Sequence, residues 1–224
     1  MTDAVERTGR EDRSVMAAGV VLGAAVGVFG IAFGVGAVAA GGSVWQTVAM
    51  SLLVFTGASQ FAAVSVVSAG GGLAAALGGA SLLAARNGVY ALTMARHLPG
   101  SLPARLIAAQ ITIDESTAMA TARRDPASIR RAFWVTGLSV YVFWNIGTLV
   151  GALAGSAIDP ATWGLDAAFP AGFVAMVAPH VERSLGRRAA IGGALIALVT
   201  IPFVPVGLPI LCASAAVLLG VRER

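Results

Sequence analysis

Residues 15–40 read "VMAAGVVLGAAVGVFGIAFGVGAVAA", a run of 26 uncharged residues. A helix rises about 1.5 Å per residue, so about 20 apolar residues cross the hydrocarbon core of a bilayer. The run is also far longer than the apolar part of a cleavable signal peptide. It therefore predicts a spanning helix, and the polar residues 1–14 before it are expected to form a frayed tail.

The composition agrees with a chain built from such helices. Of the 224 residues, 57% are hydrophobic and 12% are charged, whereas soluble domains carry about twice that charged fraction. The formal charge of +4 would suggest a nucleic-acid partner in a soluble protein, but the arginines lie in short clusters between apolar segments. They are interpreted as topology signals, and no nucleic-acid partner is expected. The sequence predicts an all-α, polytopic membrane protein embedded in a lipid bilayer.

Length and hydropathy make residues 15–221 a single transmembrane domain with eight candidate spans. The spans cover about residues 15–40, 44–69, 73–95, 104–122, 132–158, 165–181, 188–202 and 205–221. The last two are short, and Pro202, Pro205 and Pro209 crowd their junction. A hairpin there that does not fully cross would reduce the count to seven.

Arginine placement tests this count, because cytoplasmic loops are enriched in basic residues. With eight spans and the N-terminus inside, twelve arginines fall in cytoplasmic segments, whereas Arg96 and Arg105 fall outside and Arg86 lies within a span. Both termini, including the polar tail 1–14, are therefore predicted to be cytoplasmic.

Glycines recur every four residues in the first and fifth spans, at Gly19, Gly23, Gly27 and at Gly147, Gly151, Gly155. Stripes of small residues let helix backbones approach closely in a membrane, where the hydrophobic effect does not drive helices together. Close packing is favoured here over a mobile hinge.

Two predicted spans contain helix-breaking sequences, one in each half of the chain. The second span holds "FTGASQF" at residues 55–61, and the sixth holds "AAFPAGF" at residues 167–173 with Pro170 and Gly172. Interrupted helices in corresponding halves indicate a transporter site built from inverted repeats, because unwound backbone exposes N–H and C=O groups to a substrate. A kink absorbed by neighbouring helices is the alternative for each segment.

The fourth span carries the acidic stretch "QITIDESTA" at residues 110–118. Asp114 falls near the predicted bilayer midplane, where an ionised carboxylate costs about 3 kcal/mol. Read as one helix, the span places Gln110, Asp114, Thr117 and Thr121 on a single polar stripe, with Glu115 to one side. Such a stripe is expected to line a protein interface or a wet cavity.

Three interpretations of this stretch stay open at the level of sequence. It could lie outside the membrane, it could make a structural ion pair, or it could form a substrate or proton site. Two adjacent carboxylates rarely both stay ionised at low dielectric, so one of Asp114 and Glu115 is a candidate for proton exchange. Arg86 is a candidate partner for either carboxylate or for a substrate carboxylate, although snorkelling toward the interface is also open.

No catalytic or metal-binding motif occurs in the chain. There is no H-E-x-x-H, no G-x-S-x-G, no phosphate-binding glycine loop and no Cys/His cluster at ligand spacing, and Cys212 is the only cysteine. The chain is therefore not expected to be an enzyme or to hold a cofactor or metal.

Several segments, in order, resemble the AzlC-like family, the large subunit of bipartite branched-chain amino-acid exporters. They are "FTGASQF" at 55–61, "ARNGVYALTMARHL" at 85–98, "TIDESTAMATA" at 112–122, "WNIGTLVGALAG" at 144–155 and "LDAAFPAGFVAMV" at 165–177. The resemblance covers most of the chain from about residue 14. One position departs from the family pattern, because Asn87 stands where relatives usually have His after the intramembrane Arg.

The resemblance implies a permease in the bacterial plasma membrane that exports hydrophobic amino acids on an ion gradient. It also implies a separate small membrane subunit of the AzlD-like type. Asn87 is a candidate substrate-binding residue beside Arg86, and if the His of relatives relays protons, this chain lacks that relay. A non-transporting membrane sensor or assembly subunit is the alternative function, and it would not need a polar stripe at the midplane.

A zwitterionic amino acid needs an anion site, a cation site and an apolar wall. The candidate anion site is the broken segment Gly57, Ala58, Ser59, Gln60, Phe61, through backbone N–H groups and the Gln60 amide, with Arg86 as an alternative donor. Asp114 or Glu115 is the candidate for the ammonium group. Phe55, Phe61 and Phe169 are candidates for the apolar wall.

Overall fold

The computed structural model describes residues 2–157, 162, 171, 174, 177–178 and 181–220. Every regular element within these residues is a helix, as the composition predicts. In chain order they are α1 (Thr2–Ala39), α2 (Val44–Leu53), α3 (Ala58–Ser68), α4 (Leu73–Ala95), α5 (Leu102–Gln110), α6 (Asp114–Thr121), α7 (Pro126–Ala157), α8 (Ser184–Thr200), α9 (Leu208–Ala213) and a final 3₁₀ helix (Ser214–Gly220).

Two described segments are long and apolar enough to cross a membrane unaided. They are Arg13–Ala39 of α1, with 27 residues, and Pro126–Ala157, which is all 32 residues of α7. The count of seven or eight spans stays a prediction, as does the side on which each terminus lies. α1 begins at Thr2, so the expected tail is helical rather than frayed. Residues 2–14 include no proline and contain several Glu and Arg residues, which favour helix.

The two glycine stripes meet at the interface between α1 and α7, which pack along most of their length. A methyl group built on Gly23 would lie 2.8 Å from the backbone carbonyl carbon of Ser139. On the opposite helix, Gly147 faces the backbone of Gly27 in the same way. Only glycine permits this separation, so the close-packing interpretation is confirmed.

The second predicted span is divided where the sequence predicts it. α2 ends at Leu53 and α3 begins at Ala58, so the helix is interrupted within the segment "FTGASQF". The predicted break in the sixth span, at Pro170 and Gly172, lies outside the described residues.

The fourth predicted span is also broken, and its prediction as one continuous helix is wrong. α5 ends at Gln110 and α6 begins at Asp114, with Ile113 in an extended conformation before it. The three linking residues at 111–113 are all β-branched, which lowers helix propensity, and all are buried. Gln110 therefore does not share a helical stripe with Asp114, although Thr117 and Thr121 do lie on the same helix as Asp114.

Two apolar clusters attach these breaks to the α1/α7 pair. The first contains Phe33, Phe55, Phe61, Ile113 and Trp144, together with neighbouring aliphatic residues. Its aromatic centre is compact, since the ring centroids of Phe33 and Trp144 lie 6.0 Å apart and those of Phe33 and Phe61 lie 5.7 Å apart. Both breaks therefore rest on one aromatic cluster.

The second cluster joins α4, the break in the fourth span, and α7 through Met94, Ile111 and Phe133. Farther along the chain, α8 packs against α9 and the 3₁₀ helix, which follow the proline-rich junction. Gly207, directly before α9, has a φ of +93°, a backbone conformation that favours glycine.

The glycine contacts predict a difference in stability between two Gly→Ala variants. Gly23→Ala should lower the free energy of unfolding by about 1–3 kcal/mol, because the added methyl has no room against Ser139. Gly88→Ala is the matched control on α4, where a methyl meets no heavy atom within 4 Å. It should be neutral or stabilise by up to about 1 kcal/mol through helix propensity. Thermal unfolding in detergent measures both, and equal shifts would contradict the packing described.

Candidate functional site

The break between α2 and α3 is closed by the fully buried side chain of Gln60. Its Oε1 accepts a hydrogen bond from the Gly57 backbone N–H at 3.1 Å, and its Nε2 donates to the Met50 carbonyl at 3.3 Å. One side chain thus satisfies backbone groups on both sides of the break. Gly57 has a φ of +57°, which explains why glycine stands three residues before the glutamine.

The break between α5 and α6 is closed in a similar way by Ser116, which is also fully buried. Its hydroxyl accepts a hydrogen bond from the Ile113 backbone N–H at 3.1 Å and donates to the Ile111 carbonyl at 2.7 Å. Because these groups belong to the linking residues, Ser116 fixes the turn that leads into Asp114.

The two breaks meet at the C-terminal end of α2. The Gln110 amide of α5 donates to the Leu52 carbonyl at 2.9 Å and to the Leu53 carbonyl at 3.4 Å. The Tyr141 hydroxyl of α7 donates to the same Leu52 carbonyl at 3.2 Å. The last carbonyls of a helix lack intrahelical donors, and here side chains from two other helices supply them.

An ion pair joins α4 to the first residue of α6. The Arg86 Nη2 lies 2.8 Å from the Asp114 Oδ2, and the two side chains are 33% and 38% exposed. The Tyr90 hydroxyl, one turn along α4 from Arg86, also interacts with Asp114. The prediction that Arg86 pairs with one of the two carboxylates is confirmed, and the partner is Asp114.

Glu115 and Asn87 lie beside this pair. Glu115 is partly buried in the first turn of α6, where its carboxylate interacts with its own backbone N–H, and it has no ion-pair partner among the described residues. Asn87 follows Arg86 on α4 and is half-buried. The N-terminal end of α6 adds a positive partial charge, which favours carboxylates in its first turn.

Eight buried side-chain polar atoms have no hydrogen-bond partner within the described part of the chain. Four of them are Ser59 Oγ, Arg86 Nε, Thr117 Oγ1 and Trp144 Nε1. Buried polar atoms in native structures almost always find a protein or water partner. These four atoms, from α3, α4, α6 and α7, are therefore candidate contacts for water or a polar ligand.

The structure separates the predicted site residues into two groups. Arg86, Asp114 and Glu115 lie together where α4 meets α6, and Asn87 follows Arg86 on α4. Gly57, Ala58, Ser59, Gln60 and Phe61 instead form the turn and first residues of α3. Phe169 lies outside the described residues.

Two roles predicted for the α2–α3 break do not fit its geometry. The Gln60 amide is occupied by Gly57 and Met50, so it is not available to a substrate carboxylate. Phe61, at 0% exposure, and Phe55, at 4%, are core residues rather than the open wall of a pocket. No group of three or more potential metal ligands occurs in the ranges that the structure describes.

Sequence reasoning missed the parts played by Tyr90, Ser116 and Tyr141. Tyr90 was within reach of the sequence, because it lies four residues after Arg86 and therefore on the same helix face. The role of Ser116 was indicated more weakly, only by its position directly after two acidic residues. Tyr141 contacts a residue far away along the chain, and no local pattern indicates that contact.

The chain is similar in sequence to known membrane proteins. The family model described as "AzlC protein" matches residues 21–158, which is more than half of the chain. A protein of Helicobacter pylori (strain ATCC 700392 / 26695) named "Uncharacterized membrane protein" is 26% identical over 174 residues, covering 77% of this chain and 76% of the relative. A second protein with the same name, from H. pylori strain J99 / ATCC 700824, is 27% identical over 152 residues, or 67% of each chain. No solved structure matches.

A double-mutant cycle on the ion pair should show energetic coupling. Asp114→Asn and Arg86→Gln should each lower the free energy of unfolding, because each leaves one charge without its partner. The double variant should recover part of that loss, with a coupling of about 1 kcal/mol, since both side chains are partly exposed. Additive effects of the two substitutions in thermal or denaturant unfolding would show that the pair is not formed.

Proposed function

The chain belongs to the AzlC family, and on that premise we propose that it exports branched-chain or other hydrophobic amino acids across the bacterial plasma membrane. The family resemblance supplies the substrate class and the direction. The observation that carries the proposal is the Arg86–Asp114 ion pair at the start of α6, because it offers opposite charges side by side within a membrane protein.

A zwitterion can replace this pair without leaving a charge uncompensated. The substrate carboxylate would take the place of Asp114 on the Arg86 guanidinium, whose planar fork suits a carboxylate. The substrate ammonium would take the place of Arg86 on Asp114. A simple amine or acid would leave one protein charge unpaired at low dielectric, which disfavours it relative to an amino acid.

Neighbouring groups support the same orientation. The Arg86 Nε, which has no hydrogen-bond partner among the described residues, would supply a further donor for the substrate carboxylate. Ile113, the residue before Asp114, belongs to the aromatic cluster of Phe55, Phe61 and Trp144. Ile113 thus ties the position of Asp114 to the aromatic core, and does not line an open pocket.

Proton coupling is assigned to the acidic pair, with different parts for its two members. Asp114 makes an ion pair with Arg86, whereas Glu115 makes none among the described residues and feels the Arg86 charge only from a greater distance. A carboxylate without an ion-pair partner inside a membrane protein is costly in its charged form. Glu115 is therefore our first candidate for taking up a proton from outside and releasing it inside as substrate leaves.

Alternating access would require the halves of the broken helices to change their relative positions, as in other transporters with discontinuous helices. The proposed complex includes a small AzlD-like membrane subunit, which the family resemblance implies. Both termini are proposed to face the cytoplasm on the basis of arginine placement.

Efflux measurements test the proposal directly. Cells loaded with an isoleucine-containing dipeptide should accumulate less internal isoleucine when they express the chain together with an AzlD-like subunit. Asp114→Asn should raise internal isoleucine to the level of cells without the transporter, because the ammonium site loses its charge. Glu115→Gln should abolish the dependence of efflux on the proton gradient, because a glutamine cannot exchange the proton.

Asp125→Asn is the matched control, since Asp125 is an exposed carboxylate whose Oδ2 accepts a hydrogen bond from the Ser128 backbone N–H, away from the ion pair. It should export at the parental rate. Normal efflux by Asp114→Asn, at equal membrane abundance, would contradict the assigned site. Unchanged isoleucine in every strain, with confirmed expression, would instead favour the non-transporting sensor or assembly subunit.

A further inference from the structure

Gln110 occupies a position that the proposed transport chemistry does not use. It is the last residue of α5 and lies four residues before Asp114. Its Nε2 reaches across to α2, 2.9 Å from the Leu52 carbonyl and 3.4 Å from the Leu53 carbonyl. This contact joins the second and fourth predicted spans at the point where each is interrupted.

We propose that Gln110 is a positioning residue. Its hydrogen bonds to the Leu52 and Leu53 carbonyls, called the lock below, hold the two broken helices together and thereby hold Asp114 against Arg86. Its effect on transport rests on the proposed function, whereas the lock itself does not. Gln110 acts through the backbone and need not touch the substrate.

The lock can fix the position of Asp114 because packing holds the three intervening residues in place. Residues 111–113 are all buried. Ile111 is held in the cluster with Met94 and Phe133, and Ile113 in the cluster with Phe55 and Phe61. A displacement of Gln110 would therefore pass directly into the first turn of α6.

Arg86 depends on the other side of the same contact. It lies on α4, which packs against α3, and α3 is tied to the end of α2 through Gln60. α4 and α6 otherwise touch only sparsely. The ion pair thus joins α4 and α6, whose separation is fixed by other contacts. The hydrogen bond from Gln110 to α2 is one of these contacts.

The lock requires a side chain at position 110 that can donate to two carbonyls, and the Gln110 amide does so. The carbonyls that end a helix have no internal donors, and lipid cannot supply them. Tyr141 also donates to Leu52, at 3.2 Å, whereas Leu53 receives a side-chain hydrogen bond from Gln110 alone among the described residues. Loss of Gln110 should therefore do more damage than loss of the Tyr141 hydroxyl.

Transport kinetics provide the first test, with protein amount in the membrane measured for every variant. Gln110→Leu should raise the apparent KM for isoleucine by about tenfold, since a displaced charge binds its partner poorly. Gln110→Asn should behave like Gln110→Leu, because its amide is too short to reach the carbonyls. Tyr141→Phe should have a smaller effect than either. A KM that stays at the parental value in Gln110→Leu would overturn the positioning role.

Spin labels test the lock without any transport measurement. The labels are placed on Leu53→Cys and Ala109→Cys, two exposed positions, in a Cys212→Ser background that removes the native thiol. Dipolar coupling should report one narrow distance distribution in the parent and a broadened one when Gln110→Leu is added. An unchanged distribution would overturn the lock. If the parent moves no isoleucine, the proposed function fails while the label distances still decide this inference.

Discussion

Backbone carbonyls at the end of a helix need hydrogen-bond donors, and inside a membrane protein neither lipid nor bulk water supplies them. At the C-terminal end of α2, Gln110 and Tyr141 donate to the last carbonyls, and Gln60 adds a second donor to the Met50 carbonyl, which already accepts from the Val54 N–H. These three side chains come from three other helices. Because these donors converge on one helix end, α3, α5 and α7 are held around it. The arrangement of both breaks, and of the helices that follow them, depends on that convergence.

The ion pair is the chemical consequence of this arrangement. α6 begins at a break, so Asp114 lies in a first turn that favours negative charge, and it meets Arg86 from the middle of α4. Each charge compensates the other where an isolated one would be costly. Under the proposed function the same pairing would favour a zwitterion, because a ligand with both charges can replace it at little electrostatic cost. The neighbouring Glu115, without an ion-pair partner among the described residues, differs from Asp114 in its surroundings and therefore in its proposed part.

Much of this fold could be predicted from local sequence. Glycine spacing predicted the stripes on α1 and α7, and the segment "FTGASQF" predicted the first break, because glycine and a polar residue within an apolar span have few other uses. The break before Asp114 was missed, since a β-branched run is common in continuous spans as well. The contacts of the buried Gln60 side chain, and those of Gln110 and Tyr141, depend on tertiary packing. Local sequence therefore did not predict them. Phe169, predicted as part of an apolar wall, lies outside the described residues and stays a prediction.

We propose that the Arg86–Asp114 pair opens to receive a zwitterion. The most direct test is a pair of cryo-electron microscopy structures in lipid, with and without isoleucine. We expect an Arg86 Nη2 to Asp114 Oδ2 distance near 2.8 Å without ligand, and we expect bound isoleucine to separate the two groups and contact both. An intact ion pair with isoleucine bound elsewhere would contradict this proposal.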